Sequence, residues 1–340
     1  GFEELCSVID QAVETTQAQV LFVGMEPTGH YFENLARHLR ERYALVRLVN
    51  SFAVKENRHQ RMQRARKDDN LDLASIADLV LRNACFPYQP LQGHYLHLQE
   101  WVRYRASKVK MRTSLINQIT AHLDRVFPGL VRPQRAGRRQ PTLFANFWLN
   151  DTAQHLIRVC PNPRELASMR PEQLVALYHL RGWRLGIKTA RRIIDFAGLV
   201  LLPDAETIAA RLPLLTADLQ LLDSVNQAIA TAEEQIAVHL AQTKGQVLTR
   251  VKGIGTLLAA SYVAGIGNPE HYEHAGQVFK RSGLISGRND SGLHQKGGTG
   301  HRVTKEGDAH LRSALIQLAR SLCLWQPYCS QYCLQLEQRG

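Results

Sequence analysis

A chain of 340 residues can bury two or three substantial cores, and with 44% hydrophobic and 21% charged residues it is not a globally disordered protein. Its 42 Lys and Arg against 30 Asp and Glu leave a net charge of +12, a surplus suited to a polyanionic partner. The longest apolar runs, VLFVGM and AGLVLL, are far too short for a membrane span. Six cysteines without a CxxC pair argue against zinc and for reduced thiols in a cytosolic protein.

In chain order, residues 2–15 read as an amphipathic helix, 19–25 as a buried strand, 30–42 as a helix and 44–49 (ALVRLV) as a second strand. This is a β-α-β unit. A helix over 69–83 presents Leu71, Ile76, Leu79 and Val80 on its apolar face. A long helix over 94–126 stops at Phe127-Pro128-Gly129, and the Arg-rich stretch VRPQRAGRRQPT is a loop. Shorter helices fill 151–212, broken at Pro161, Pro171, Gly182 and Pro203. A second long helix spans 213–243. The two long helices would pair as an antiparallel coiled coil, join those of another subunit, or form an ordinary bundle. The expected class is α/β plus all-α, with an α/β domain over 1–92, a long-helix region over 93–245, a C-terminal domain over 246–330 and a tail over 331–340.

Glu26 stands at the carboxyl end of the first strand, where open α/β sheets place ligands. It reads as a metal ligand or as a cap on the following helix. After the second strand, Lys55, Arg58, Arg61, Arg64, Arg66 and Lys67 against one Glu give +5 in thirteen residues, and that run meets Asp68, Asp69 and Asp72. Asp69 and Asp72 share a helix face. Alone, the basic run is a solvated face and the acids answer the helix dipole. Together with Glu26 they are the parts that a two-metal phosphoryl-transfer site needs, since Mg²⁺ takes oxygen ligands.

The landmarks Glu26-Pro27-Thr28-Gly29-His30-Tyr31, Val49-Asn50 with Lys55 and Arg58, and Lys67-Asp68-Asp69-Asn70-Leu71-Asp72 resemble those of the DEDD transposases of the IS110 family. The family pattern is E-x-T-G-x-Y, then N-P, then K-[TN]-D-x-x-D-A. Ser51, Asp68 and Leu73 depart from it mildly. The resemblance implies a RuvC-like (RNase H-like) domain whose metal site uses Glu26, Asp69 and Asp72 with a further Asp on a preceding strand. The chain opens on Gly1 and is expected to begin after that strand, with Asp10 in a helix no substitute.

Near the C-terminus, Val251-Lys252-Gly253-Ile254-Gly255 resembles a helix-hairpin-helix, whose glycines let backbone N–H groups reach a DNA phosphate. A plain packing turn is the other reading. From 280 to 312, seven Lys or Arg face three acids in a glycine-rich stretch. The order Asp290-Ser291-Gly292, then Lys305, Gly307, Leu311 and Arg312, resembles the C-terminal transposase domain of the same family. The resemblance makes Ser291 the nucleophile, with Lys296, Arg302, Lys305 or Arg312 to stabilise phosphorane charge. His294 and His301 read as surface residues.

The resemblance therefore implies an insertion-sequence recombinase that cuts and rejoins DNA. It further implies Mg²⁺ (or Mn²⁺) as cofactor, a structured noncoding guide RNA, assembly as a homodimer or homotetramer, and a cytoplasmic, nucleoid-associated location in a bacterium. A RuvC-like nuclease using water, or a nucleic-acid-binding remnant without catalysis, are the competing functions.

Overall fold

The computed structural model describes residues 1–27, 29–43, 45–62, 68–131, 143–284, 303 and 307–339. The chain divides into two units, one made of 1–97 with 242–340 and the other of 98–241. In the first, α1 (Phe2–Thr16) is followed by β1 (Val23–Met25), α2 (Tyr31–Tyr43), β2 (Val46–Leu48), α3 (Ser51–Met62), α4 (Asp69–Leu81) and β3 (Phe86–Pro87). β1 and β2 run parallel with Val23 opposite Val46, so α2 is a β-α-β crossover. β3 adds antiparallel to β2, giving the order β1-β2-β3. Both main strands are shorter than the apolar runs that suggested them. Val20 and Phe22 are exposed, so hydrophobicity there extends beyond the ladder.

Side chains alternate across β1. Val23 and Met25 pack with Cys6, Ala36, Leu39 and Val46 against α1 and α2. Gly24 faces the other way, and a Cβ there would stand 2.7 Å from Val80 Cγ2 and 3.0 Å from Ile76 Cγ2. The absent side chain is what lets α4 lie against the strand. Val49, Val54 and Leu79 bury the α3–α4 side of this layer.

The second unit takes up the rest of α5 (Gly93–Val126), then α6 (Asp151–Val159), α7 (Pro163–Ser168), α8 (Pro171–Leu180), α9 (Ile187–Leu199) and α10 (Ala205–Ala241). Asn150 and Asn162 cap α6 and α7 through their side-chain oxygens, and Pro163 and Pro171 open α7 and α8. α10 starts earlier than expected and continues through Pro213. Ile208 and Leu215, buried on either side of the proline, provide packing that outweighs its penalty of about 3 kcal/mol.

α5 and α10 pair within this one chain. Arg105 Nε meets Glu233 Oε1 at 2.7 Å, and His122 Nε2 lies 3.7 Å from Asp218 Oδ2. Numbers rise along α5 as they fall along α10, so the helices are antiparallel. Their seam is apolar, with Leu115, Ile119 and Leu123 on α5 and Leu215, Leu222 and Ile229 at heptad spacing on α10.

The chain re-enters the first unit through a 3₁₀ helix (Lys244–Arg250), followed by α11 (Thr256–Ile266), α12 (Ala275–Ser282), α13 (Ala309–Trp325) and α14 (Pro327–Arg339). Gly265 admits α13 to α11, since a Cβ there would meet Leu311 Cβ at 2.8 Å. Residues 331–339, expected as a tail, belong to α14. One further expectation needs correction. Cys323 and Cys333 form a disulfide between α13 and α14 in place of reduced thiols, because the short turn at Gln326 brings the two helices face to face. The hairpin at 251–255 follows a 3₁₀ helix instead of an α-helix, and it is docked on α13. Gly253, at φ +98°, rests on Trp325, and its carbonyl accepts from Ser321. No described helix is long and apolar enough to cross a membrane.

Candidate catalytic site and nucleic-acid interface

Glu26 follows the last residue of β1 and is half-buried. The Val49 N–H donates to Met25 O at 2.9 Å and fixes the strand end that carries it. On α4, Asp72 lies one turn before Ile76, the residue that touches Gly24. Asp68 is the N-cap, accepting from Asn70 N at 2.9 Å, while Asp69 opens the helix and is exposed. The cap was not separated from the other acids by sequence alone. Asp10, on α1, accepts from Tyr43 Oη at 2.8 Å and from Arg42. Those hydrogen bonds, Tyr43 first, hold its carboxyl below the usual range and commit it to the α1–α2 contact.

Arg58 links α3 to α4. Its side chain is buried, points from α3 to α4, and is ion-paired with Asp72, whose own side chain is 19% exposed. Its neighbour Asn57, also buried, donates to Asp78 Oδ2 at 2.8 Å, and Arg82 reaches the same oxygen at 3.1 Å. Among the described residues, the buried Arg58 Nε and Asn57 Oδ1 meet no hydrogen-bond partner. Arg58 was expected on the nucleic-acid side; it is instead the countercharge of Asp72. The sequence signal for this was an Arg on the inward face of α3, with spacing from Val54 that matches one helical turn.

Glu26, Asp69 and Asp72 offer oxygen atoms only, which suits a hard divalent cation in kind. Their arrangement does not complete a site: among the described residues no three His, Cys, Asp or Glu side chains converge on one point. One Asp72 oxygen is already held by Arg58.

Of the basic residues, Lys55 and Lys252 are exposed, and Lys252 lies over the Trp325 ring at 5.2 Å. Gly255 is the N-cap of α11 with open space around it. Arg61 lies in the last turn of α3. Arg64, Arg66 and Lys67 fall outside the described residues, as do Ser291, His294, Lys296, His301, Arg302 and Lys305.

The described residues on either side of 285–302 meet. A Cβ on Gly307 would fall 2.1 Å from Arg281 O and 2.4 Å from Gly283 N. Asp308 N donates to Arg281 O at 2.8 Å, and Arg312 Nη1 donates to Ser282 O at 2.9 Å. Leu311 is fully buried against Gly265. Gly307 and Arg312 thus clamp the start of α13 to the end of α12, while Leu311 fastens the same helix to α11. Arg312, expected to stabilise phosphorane charge, spends a donor on that clamp.

Comparison with known families matches segments from both ends of the chain. Residues 2–128 match a family model described as a transposase, of the DEDD type of IS110. Residues 245–333 match the model of the transposase IS116/IS110/IS902 family. No curated protein matches the chain. The two matched segments together cover well over half of the sequence, and most of both fold into the first unit. With both family segments present in order, the chain belongs to the IS110 family of transposases, enzymes that act on DNA.

Proposed function

We propose that this transposase cuts and rejoins DNA through Ser291, with the acids of the β1–α4 layer as a second half of the site. What supports the reading is that the chain carries both family segments and that the described flanks of the Ser291 stretch are pinned by Gly307 and Arg312. In this reading the Ser291 hydroxyl gives its proton to a base and forms an ester bond with phosphorus. The P–O bond to the departing strand end breaks, and that oxygen takes up a proton. Attack by a new strand-end hydroxyl then frees the serine. Cations nearby stabilise the pentacovalent charge.

Glu26, Asp69 and Asp72 are proposed to hold a divalent cation, Mg²⁺ with Mn²⁺ an alternative, which when bound neutralises phosphate charge. Asp72 must first leave Arg58 for this. A RuvC-like fold, a helix-hairpin-helix role for 251–255, a guide RNA and a homodimer or homotetramer pairing acids from one protomer with Ser291 from another complete the proposal.

The test uses the full chain with a plasmid carrying its own element and flanks. Wild type yields a protein–DNA adduct that survives denaturation, and Ser291→Ala yields none. Undiminished strand cleavage by Ser291→Ala would overturn the serine role and favour water as nucleophile. Ribonuclease treatment before mixing abolishes activity if RNA guides the enzyme; unchanged activity removes that part.

A further inference from the structure

The second unit contains a built cavity that none of the chemistry above uses. It has a volume of about 580 Å³ and lies between α6, the turn after α8 and the middle of α10. That is within the roughly 300–1,000 Å³ typical of small-ligand sites. One wall is a ring pair: the His155 imidazole stacks on the Trp183 indole with centroids 3.7 Å apart and planes within 2°. Tyr178 sets its edge against both rings at 6.3 Å and is itself fully buried, its hydroxyl donating to Thr152 O at 2.8 Å. Gly182, at φ +75°, makes the turn that brings Trp183 back onto this support, with Trp183 N donating to Tyr178 O at 3.0 Å. Burial holds the His155 pKa down, so the stacked ring is neutral at ordinary pH.

The opposite wall is one face of α10. Gln220 and Asn226 line it, and neither side-chain amide makes a hydrogen bond among the described residues. Asp223, between them, is neutralised by Arg158, which donates through Nη2 at 2.6 Å and Nε at 3.3 Å. Asp151 adds a carboxylate at the rim. At the rim Arg181 is exposed and lines the cavity, and Arg184, on the other side of Trp183 in the sequence, is also exposed.

A flat aromatic support, unengaged amides able to read a ring's edge, and exposed cations for a tethered anion describe one kind of ligand. We infer that this cavity receives an unpaired nucleobase of a single-stranded nucleic acid. The base stacks on the His155–Trp183 pair, Gln220 and Asn226 address its edge, and Arg181 and Arg184 hold the adjoining phosphates. DNA and RNA present the same chemistry here. A peptide lacks the regular anionic backbone that Arg181 and Arg184 would track.

The experiment is binding of fluorescein-labelled, unstructured oligothymidylate and oligouridylate to the full chain, in chelator so that no metal site contributes. An abasic oligomer of equal length serves as the probe for phosphate alone. Wild type should quench its tryptophan emission on binding, and Trp183→Ala should weaken affinity about tenfold or more. The abasic oligomer should bind wild type about as weakly. Gln220→Ala with Asn226→Ala, changes at an exposed and a half-buried position that leave the stack in place, should cost severalfold and keep the test valid if Trp183→Ala misfolds. Equal affinity for abasic and normal oligomers overturns the inference, as does an unaffected Gln220/Asn226 double variant. Tighter binding of one oligomer identifies the strand; equal binding means the base alone is read, and both outcomes support the site. Ser291→Ala should bind like wild type, so failure of the serine mechanism and failure of this inference are separate results.

Discussion

Replacing Arg58 by Met removes a cation from a place where water cannot substitute for it. The Asp72 side chain keeps only 19% of its surface, and Arg58 keeps 9%. Breaking a buried ion pair from one side typically costs about 3–5 kcal/mol, because the remaining charge is stranded. Asp72 retains some access to solvent, so the low end applies, about 3 kcal/mol. Arg58 also brings an unpartnered Nε into the interior, and losing it returns part of that cost. The double variant Arg58→Met with Asp72→Leu therefore should cost less than the two single changes added, by about 2 kcal/mol of coupling. A chain of two units does not melt as one transition, so the assay is native-state hydrogen exchange at the amides of α3 and α4. Arg58→Met should lower α4 protection roughly a hundredfold, at about 1.4 kcal/mol per factor of ten. Additive effects, or exchange unchanged in Arg58→Met, would refute the claim that Arg58 anchors α4 through Asp72.

Gly307→Ala should destabilise the first unit by at least about 3 kcal/mol, since its Cβ would collide with Arg281 O and Gly283 N, which are backbone atoms and cannot turn aside. Gly255→Ala, with nothing within 4 Å, should cost less than about 1 kcal/mol, and urea denaturation read by a probe in the first unit distinguishes them. His155 has a folded pKa below its ordinary 6.5, so the unfolded chain takes up the proton first. Stability of the second unit should thus be full above that pH and fall as pH drops from 6.5 through the folded value, and His155→Gln should flatten the curve. Thiol titration of the unreduced chain in denaturant should count four groups, Cys6, Cys85, Cys160 and Cys329, and all six cysteines should react after reduction. Six thiols without reductant would argue against the Cys323–Cys333 bridge.

Local pattern carried much of this molecule. α4 and the body of α5 were legible because a buried face repeats every three or four residues, and β1-α2-β2 because short apolar runs flank a segment of helical spacing. Glu26 could be placed at a strand end, and Asp69 and Asp72 on one helical turn, from spacing alone. Gly307 and Leu311 stood out only through family resemblance, and their close packing on Gly283 and Gly265 supplies the physical reason for those residue types. What spacing could not express was partnership between distant segments. The antiparallel seating of α5 on α10 rests on Arg105–Glu233 and His122–Asp218, pairs more than ninety residues apart in sequence. Arg58 looked like one cation in a solvated run until α4 was laid beside α3. The same holds for His155 on Trp183 and for Cys323 with Cys333. Sequence alone determined the helices, the β-α-β unit and the family. Tertiary structure decided which charges are buried, which glycines are contacts and that both ends of the chain share one unit, because burial and pairing belong to surfaces that exist only once the chain has folded.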